Sequence, residues 1–132
     1  MKIIVMGCGS MGAGLASALD IEGHELTVID IDASKLAKLP GNFSGTAMVG
    51  DGTDEEVLKK AGIEETDAFI AASKEDERNA MAAQIAKKVF GISRVVCRIF
   101  DTQKVEFYES LDLAAVSPIA AFVGSVKKRL GA

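Results

Sequence analysis

Near its first residue the chain reads Lys2-Ile3-Ile4-Val5-Met6-Gly7-Cys8-Gly9-Ser10-Met11-Gly12, and this stretch indicates the fold more strongly than any other. Lys2–Met6 is a short apolar run, typical of a strand that is buried on both faces. A Gly-x-Gly-x-x-Gly loop follows at once, and the pattern of Ser10–Glu22 predicts a helix. The stretch therefore predicts the strand–turn–helix unit that begins a Rossmann-type domain.

Each glycine of the loop has a predicted role. Gly7 permits the sharp turn, Gly9 leaves room for a pyrophosphate, and Gly12 lets the helix pack closely against the strand. The first turn of the helix would then offer free N–H groups and a partial positive charge to the phosphates. A tight strand-to-helix turn without a ligand is the alternative interpretation of the same glycines.

The rest of the chain alternates between strand and helix patterns. Further strands are predicted at Glu25–Ile29, Gly45–Val49, Asp67–Ala72, Arg94–Ile99 and Leu113–Val116. Further helices are predicted at Ala33–Leu39, Asp54–Ala61, Glu75–Val89, Thr102–Ser110 and Pro118–Leu130. This alternation predicts an α/β fold: a Rossmann-type, doubly wound, six-stranded parallel sheet in the order 3-2-1-4-5-6, with helices on both faces. We expect residues 1–132 to form a single domain.

An acidic residue follows the second predicted strand. Asp30 lies 18 positions after Gly12, at the carboxyl end of that strand. A carboxylate there accepts hydrogen bonds from both hydroxyls of an adenosine ribose and repels a 2′-phosphate, so NAD is expected to be preferred to NADP. The alternative is a turn or N-cap aspartate, a role that Asp32 fits better because Ser34 follows it.

Composition and charge exclude several other classes. The net charge of −4 and the scattered basic residues argue against nucleic-acid binding, and the one basic cluster, Lys127-Lys128-Arg129, suits the C-terminal end of a helix. No apolar run approaches the ~20 residues of a transmembrane helix. Cys8 and Cys97 are expected to be reduced core residues, no metal site is indicated, and His24 is expected to be a turn residue. With no signal-peptide pattern after Lys2, a cytoplasmic protein is expected.

A third stretch carries a family resemblance. Gly50-Asp51-Gly52-Thr53-Asp54 resembles the Gly-Asp-Ala-Thr-Asp signature of TrkA-N domains, also called KTN or RCK N-terminal domains. The match continues through Ala61–Glu64, Thr66–Ala72, Asn79, Val95–Arg98 and Val116-Ser117-Pro118. These domains are the nucleotide-binding regulatory units of Trk- and Ktr-type potassium transporters and of some potassium channels.

The resemblance implies a ligand, a partner and a set of binding residues. The ligand would be NAD(H) or AMP, ADP or ATP, and the partner would be a membrane subunit at the inner face of the cell membrane. The loop residues would line the phosphates: Gly7, Gly9, Ser10, Met11 and Gly12. The remaining contacts would come from Asp30 and Ile31 to the first ribose, Asp51, Gly52 and Thr53 to the adenine, and Ser73 and Arg98 to the far half of the ligand. Thr53 is also expected to be the N-cap of a Thr-x-x-Glu capping box with Glu56.

The chain departs from the family pattern at two positions. Ser10 stands where many members have an arginine or lysine that reaches a terminal phosphate. Ile119 stands where Ktr-type members tend to have a glutamate associated with a cation at the subunit interface. Both departures favour NAD(H) or AMP over switching between ATP and ADP. We expect no C-terminal RCK domain within residues 1–132.

Two further interpretations stay open. A small NAD-dependent oxidoreductase fragment is the main alternative. The chain offers no plausible Lys, His or Tyr as its acid or base, since Lys74, the nearest candidate, is typical of a solvated loop lysine, so we do not expect an enzyme. The last helix carries an apolar stripe of Ile119, Phe122, Val123 and Val126, which is predicted to pack on a second subunit in a homodimer or higher oligomer. The simpler alternative is that this stripe covers the sheet of its own domain.

Overall fold

The computed structural model describes residues 1–132 and contains six strands and five α-helices. The strands are β1 (Lys2–Met6), β2 (Glu25–Asp30), β3 (Thr46–Val49), β4 (Ala68–Ala71), β5 (Arg94–Arg98) and β6 (Ala114–Val116). The α-helices are α1 (Ser10–Ile21), α2 (Glu55–Lys60), α3 (Asp76–Gln84), α4 (Thr102–Ser110) and α5 (Pro118–Leu130). Two 3₁₀ segments, Ala33–Lys38 and Ile63–Glu65, complete the regular structure, together with a π-helical turn at Ile85–Val89 that extends α3.

The strands form one parallel sheet in the order β3-β2-β1-β4-β5-β6. The predicted fold and strand order are therefore confirmed. The direction of winding reverses between β1 and β4, and ligands of open α/β sheets bind outside the carboxyl ends of the strands at such a point. Ala72 donates its backbone N–H to the Met6 carbonyl at 2.7 Å, so the two strands stay paired up to this crevice.

Helices cover both faces of the sheet, which explains why β1 is apolar from Ile3 to Met6. On one face Ile4 and Met6 belong to the larger core cluster, beneath α2 and α3. On the other face Ile3 and Val5 belong to the smaller cluster, beneath α1. Because the side chains on both faces of β1 are buried, apolar and polar residues do not alternate along the strand. The sequence from Ile3 to Met6 is a continuous hydrophobic run instead.

Two predicted helices differ from the observed ones in type. The segment predicted as a helix over Ala33–Leu39 is a 3₁₀ turn whose Leu39 N–H donates to the Leu36 carbonyl three residues back. The helix predicted over Glu75–Val89 changes to π-helical geometry at Ile85, and Phe90 N–H then donates to the Ile85 carbonyl. Hydrophobic spacing does not separate these geometries, because all of them repeat every three to five residues.

Helix α5 stands away from the sheet. Ser117 caps it by accepting a hydrogen bond from Ala120 N–H at 3.1 Å, and it ends at Gly131, whose φ is 72°. No residue from Ile119 to Ala132 is buried, and Phe122 is 70% exposed. The interpretation in which the apolar stripe of α5 covers its own sheet is therefore wrong. No helix of the chain is both long enough and apolar enough to span a membrane.

Candidate functional site

The glycine loop has the geometry that the sequence predicted for it. Gly7 has a φ of 101°, and a Cβ at this position would lie 2.6 Å from the Ser73 nitrogen. A Cβ at Gly12 would lie 1.8 Å from the Gly7 oxygen, so only glycine lets α1 approach the turn this closely. Around Gly9 there is open space, with no atom within 4 Å of a built Cβ. The loop thus leaves free the position that a phosphate occupies in a Rossmann site.

Helix α1 begins within this loop, at Ser10. Its N-cap is Gly9, which has no side chain to accept a hydrogen bond from the first turn. The N–H groups of that first turn are unpaired within the helix, and with the helix dipole they attract an anion. The feature by itself indicates an anion position but not which anion occupies it.

Asp30 holds the glycine loop in place through a hydrogen bond from the loop's backbone. The residue is 7% exposed, and its Oδ2 accepts a hydrogen bond from Cys8 N–H at 2.7 Å while its Oδ1 accepts one from Asp32 N–H at 2.8 Å. Each carboxylate oxygen can accept at least one more hydrogen bond, which leaves capacity for ribose hydroxyls. The sequence did not indicate the hydrogen bond between Cys8 and Asp30, since the two residues are 22 positions apart.

A cavity of about 340 Å³ lies beside the loop. Nine of the residues named from the sequence line it together: Gly7, Gly9, Ser10, Met11, Asp30, Ile31, Gly52, Ser73 and Arg98. Three others, Gly12, Asp51 and Thr53, are not part of its lining. Gly12 packs against the Gly7 carbonyl. Asp51 is not in the lining itself, but it forms an ion pair with Arg78, which is.

The cavity is positively charged although the chain is acidic overall. Five basic side chains line it, against the two carboxylates of Asp30 and Glu75; the basic residues are Lys35, Lys38, Lys74, Arg78 and Arg98. Of these five, only Arg98 was named from the sequence as a binding residue. The others come from the segments that follow β2 and β4, and the one visible signal was the spacing of Lys35 and Lys38 just after Asp30. Such a lining suits a phosphorylated ligand.

Asp51 is held by three donors at one oxygen. Its Oδ1 accepts hydrogen bonds from Thr53 N–H at 2.9 Å, from the Thr53 hydroxyl at 2.6 Å and from Arg78 Nη2 at 2.7 Å. These hydrogen bonds from Thr53, together with the Arg78 guanidinium, lower the pKa of Asp51 below its ordinary value. Asp54, and not Thr53, is the N-cap of α2, because its carboxylate accepts from Glu56 N–H at 2.9 Å. The predicted capping box is therefore wrong: Thr53 turns back to Asp51.

Asn79 joins the ends of β4 and β5. It is fully buried, and its Oδ1 accepts from the backbone N–H of Ser73 at 2.9 Å and from the Ser73 hydroxyl at 2.6 Å. Its Nδ2 donates to the carbonyls of Ser73 and Arg98 at 2.9 and 2.8 Å. The Arg98 guanidinium also donates to the Ser73 carbonyl at 3.0 Å and stacks at 5.7 Å over the Phe100 ring. This network fixes the far wall of the cavity.

The remaining reactive groups lie apart from the cavity lining. Cys8 and Cys97 are unpaired and buried, and burial raises the pKa of both thiols, that of Cys97 to about 11. His24 is at the opposite end of the sheet, where its Nδ1 lies 3.0 Å from the N-terminal ammonium of Met1. No group of three or more His, Cys, Asp or Glu side chains is placed to hold a metal ion.

Known proteins resemble this chain over almost its full length. The family described as TrkA-N domain matches residues 3–118. The Trk system potassium uptake protein TrkA of Streptomyces coelicolor is 38% identical over 130 residues, which are 98% of this chain and 58% of that protein. A TrkA homolog of Pyrococcus abyssi is 33% identical over 84% of this chain and 49% of that protein. The chain thus spans about half the length of these curated relatives.

Solved structures share the fold. The Kef CTD of Shewanella denitrificans in its AMP-bound form superposes with a TM-score of 0.81 at 18% identity, covering 99% of this chain and 80% of that one. The GsuK channel bound to NAD superposes with a TM-score of 0.74 at 23% identity, covering 88% of this chain and 20% of that one.

Proposed function

The chain belongs to the TrkA-N domain family, and from this membership we propose that it is the nucleotide-binding regulatory unit of a potassium uptake transporter or channel. One observation carries the proposal: the open glycine loop, the Asp30 carboxylate and a positively charged wall meet around one cavity. The curated relatives are named as potassium uptake proteins, which supports the potassium-transport part of the proposal.

The proposed ligand is NAD(H), with AMP, ADP and ATP as further candidates. The phosphates would lie over Gly9 and the first turn of α1, and the ribose hydroxyls would donate to Asp30. The adenine would lie near Gly52, beside the carboxyl end of β3. A structural neighbour with NAD and another with AMP support an adenine ligand for this fold.

Calorimetric titration tests the binding proposal. The purified protein is titrated with NADH, NAD, AMP, ADP and ATP, and we expect saturable binding of at least one of them at a stoichiometry of one per chain. Inosine monophosphate is the matched control, because it differs from AMP only at the base. If none of the five nucleotides binds at millimolar concentration, the proposed function is wrong.

We propose further that the site binds its ligand without chemical turnover. The cavity contains neither a histidine nor a tyrosine, and its carboxylates are Asp30, already engaged by two backbone N–H groups, and Glu75. Lys74 lines the cavity, so an oxidoreductase fragment would have to use this lysine. NADH-dependent turnover of any 2- or 3-hydroxyacid by the purified protein would contradict the proposal.

The proposed partner is a potassium-transporting membrane subunit, with this protein bound at its cytoplasmic face. Deleting the gene in its host is expected to reduce potassium uptake at low external potassium. Restoring the gene with the variant Asp30→Ala is expected to leave uptake low if nucleotide occupancy controls the transporter. Unchanged uptake after deletion would refute the transport role and leave nucleotide binding standing.

We propose that α5 pairs with α5 of a second copy. An isolated helix of this length is only marginally stable in water, so its uncovered apolar stripe needs a partner surface. Phe122→Asp is expected to convert a dimer into a monomer in light scattering, because it places a charge at the most exposed residue of the stripe. Ala121→Asp, on the opposite side of the same helix, is the control and is expected to leave the dimer intact. A wild-type protein that is monomeric at high concentration would contradict the pairing.

A further inference from the structure

A lysine from the segment after β2 stands beside the glycine loop. Lys38 lines the nucleotide cavity, and it also lines a shallower groove that continues from Ser10 along α1 past Ala13 and Ser17. Ser10 and Lys38 are common to both. The groove and the cavity therefore adjoin at Ser10 and Lys38.

Packing fixes the backbone that carries this lysine. Leu36 and Leu39, on either side of Lys38, pack against the core cluster beneath α1. Asp32 caps the start of the segment with its carboxylate. Because both leucines pack on the core, they hold the backbone of this segment in place. The Lys38 side chain is therefore exposed beside the cavity.

The Lys38 ammonium is not neutralised by the protein. It makes no ion pair, whereas Arg78, another cation of the cavity, is bound to Asp51 and Glu75. The Lys38 charge nevertheless acts on the glycine loop. Burial and the Asp30 charge raise the pKa of the Cys8 thiol, whereas the Lys38 charge lowers it. An unpaired cation thus lines the same cavity as Ser10, the first residue of α1, whose first turn attracts an anion.

We propose that Lys38 binds the terminal phosphate of the nucleotide, so that the site favours ADP over AMP. The inference rests on the proposed function, because it assumes that the α-phosphate lies at the N-terminus of α1. The next phosphate would then meet the part of the cavity wall that Ser10 and Lys38 line together. A terminal phosphate monoester carries up to about two negative charges at neutral pH, for which a free ammonium is a suitable partner. Ser10 brings no charge to the loop, and Lys38 supplies one from another element.

A phosphate on the ribose 2′ position would offer the same chemistry to Lys38. We assign the lysine to the 5′ chain because the Asp30 carboxylate, at the ribose position, would repel a 2′-phosphate. The two sources are separated by comparing ADP with 2′-phospho-AMP, which carry the extra phosphate at different ends of the ribose.

The experiment is a titration of AMP, ADP and 2′-phospho-AMP into the wild type, Lys38→Gln and Lys60→Gln. Lys60 is an exposed lysine at the last position of α2, outside the cavity lining, and controls for the loss of one positive charge. For the wild type we expect ADP to bind about tenfold more tightly than AMP, as one charge-assisted hydrogen bond predicts. Lys38→Gln should abolish this preference with little change in the affinity for AMP, and Lys60→Gln should retain it.

Three kinds of outcome overturn the assignment. Equal affinities of the wild type for AMP and ADP, or an ADP preference that survives in Lys38→Gln, mean that Lys38 does not read the terminal phosphate. Tighter binding of 2′-phospho-AMP than of ADP, lost in Lys38→Gln, places the lysine at the ribose instead. Failure of the wild type to bind any of the three overturns the inference together with the proposed adenine mononucleotide site, whereas the other two leave nucleotide binding intact.

Discussion

Gly12→Ala is expected to lower the free energy of unfolding by about 3 kcal/mol or more. The added Cβ would lie 1.8 Å from the Gly7 carbonyl oxygen, which is a backbone atom and cannot rotate away. Gly7 itself is held by a 2.8 Å hydrogen bond from its N–H to the Ile29 carbonyl. Helix α1 would have to move off the strand, and urea denaturation measures the loss.

Gly14→Ala provides the matched control in the same helix. No atom lies within 4 Å of a Cβ at Gly14, and the residue is exposed. Alanine is the better helix former, so this variant is expected to gain about 0.5–1 kcal/mol of stability. Equal stability changes for the two variants would mean that the close approach of α1 to the turn does not exist.

Asp30→Ala is expected to weaken AMP binding by about 2–4 kcal/mol, a loss of roughly 30- to 1000-fold in affinity. Two effects contribute, because the same carboxylate holds the Cys8 N–H of the glycine loop and is proposed to accept the ribose hydroxyls. Asp32→Ala is the control: it removes a neighbouring exposed carboxylate that caps the 3₁₀ segment, and is expected to change the affinity less than about threefold.

A second ligand separates the two effects of Asp30. The wild type is expected to bind 2′,3′-dideoxy-AMP more weakly than AMP, because the ribose then has no hydroxyls to donate. Asp30→Ala should bind both ligands equally. If the wild type does not distinguish AMP from its dideoxy form, Asp30 only supports the loop, and the ribose contact is wrong.

Much of the fold could be predicted because its signals are local. The bounds of β1, α4 and α5 agree with the predicted ones, and the glycine spacing indicated the turn. Errors occurred where two local solutions compete for the same backbone groups. Thr53 and Asp54 are both good cap residues, but Thr53 donates to Asp51 instead, at the same oxygen that Arg78 binds from α3. A residue 27 positions away is invisible to a capping rule.

The wall of the cavity shows the same limit. Asn79 was noted only as part of a family resemblance, yet its four hydrogen bonds join the ends of two strands. The stripe on α5 was readable from its spacing, but spacing does not tell what a stripe faces. The structure shows that it does not face its own sheet.

The sequence by itself therefore determined the strand–loop–helix unit, the parallel order of the sheet and the place of Asp30, because these follow from neighbouring residues and from the handedness of the crossovers. Only the tertiary structure decided which charges meet at the loop. Ser10 read alone suggests a loop without a cation, whereas folding brings Lys38 to its side. The physical reason is that parallel strands gather their carboxyl ends at one edge, so groups far apart in the chain share one cavity.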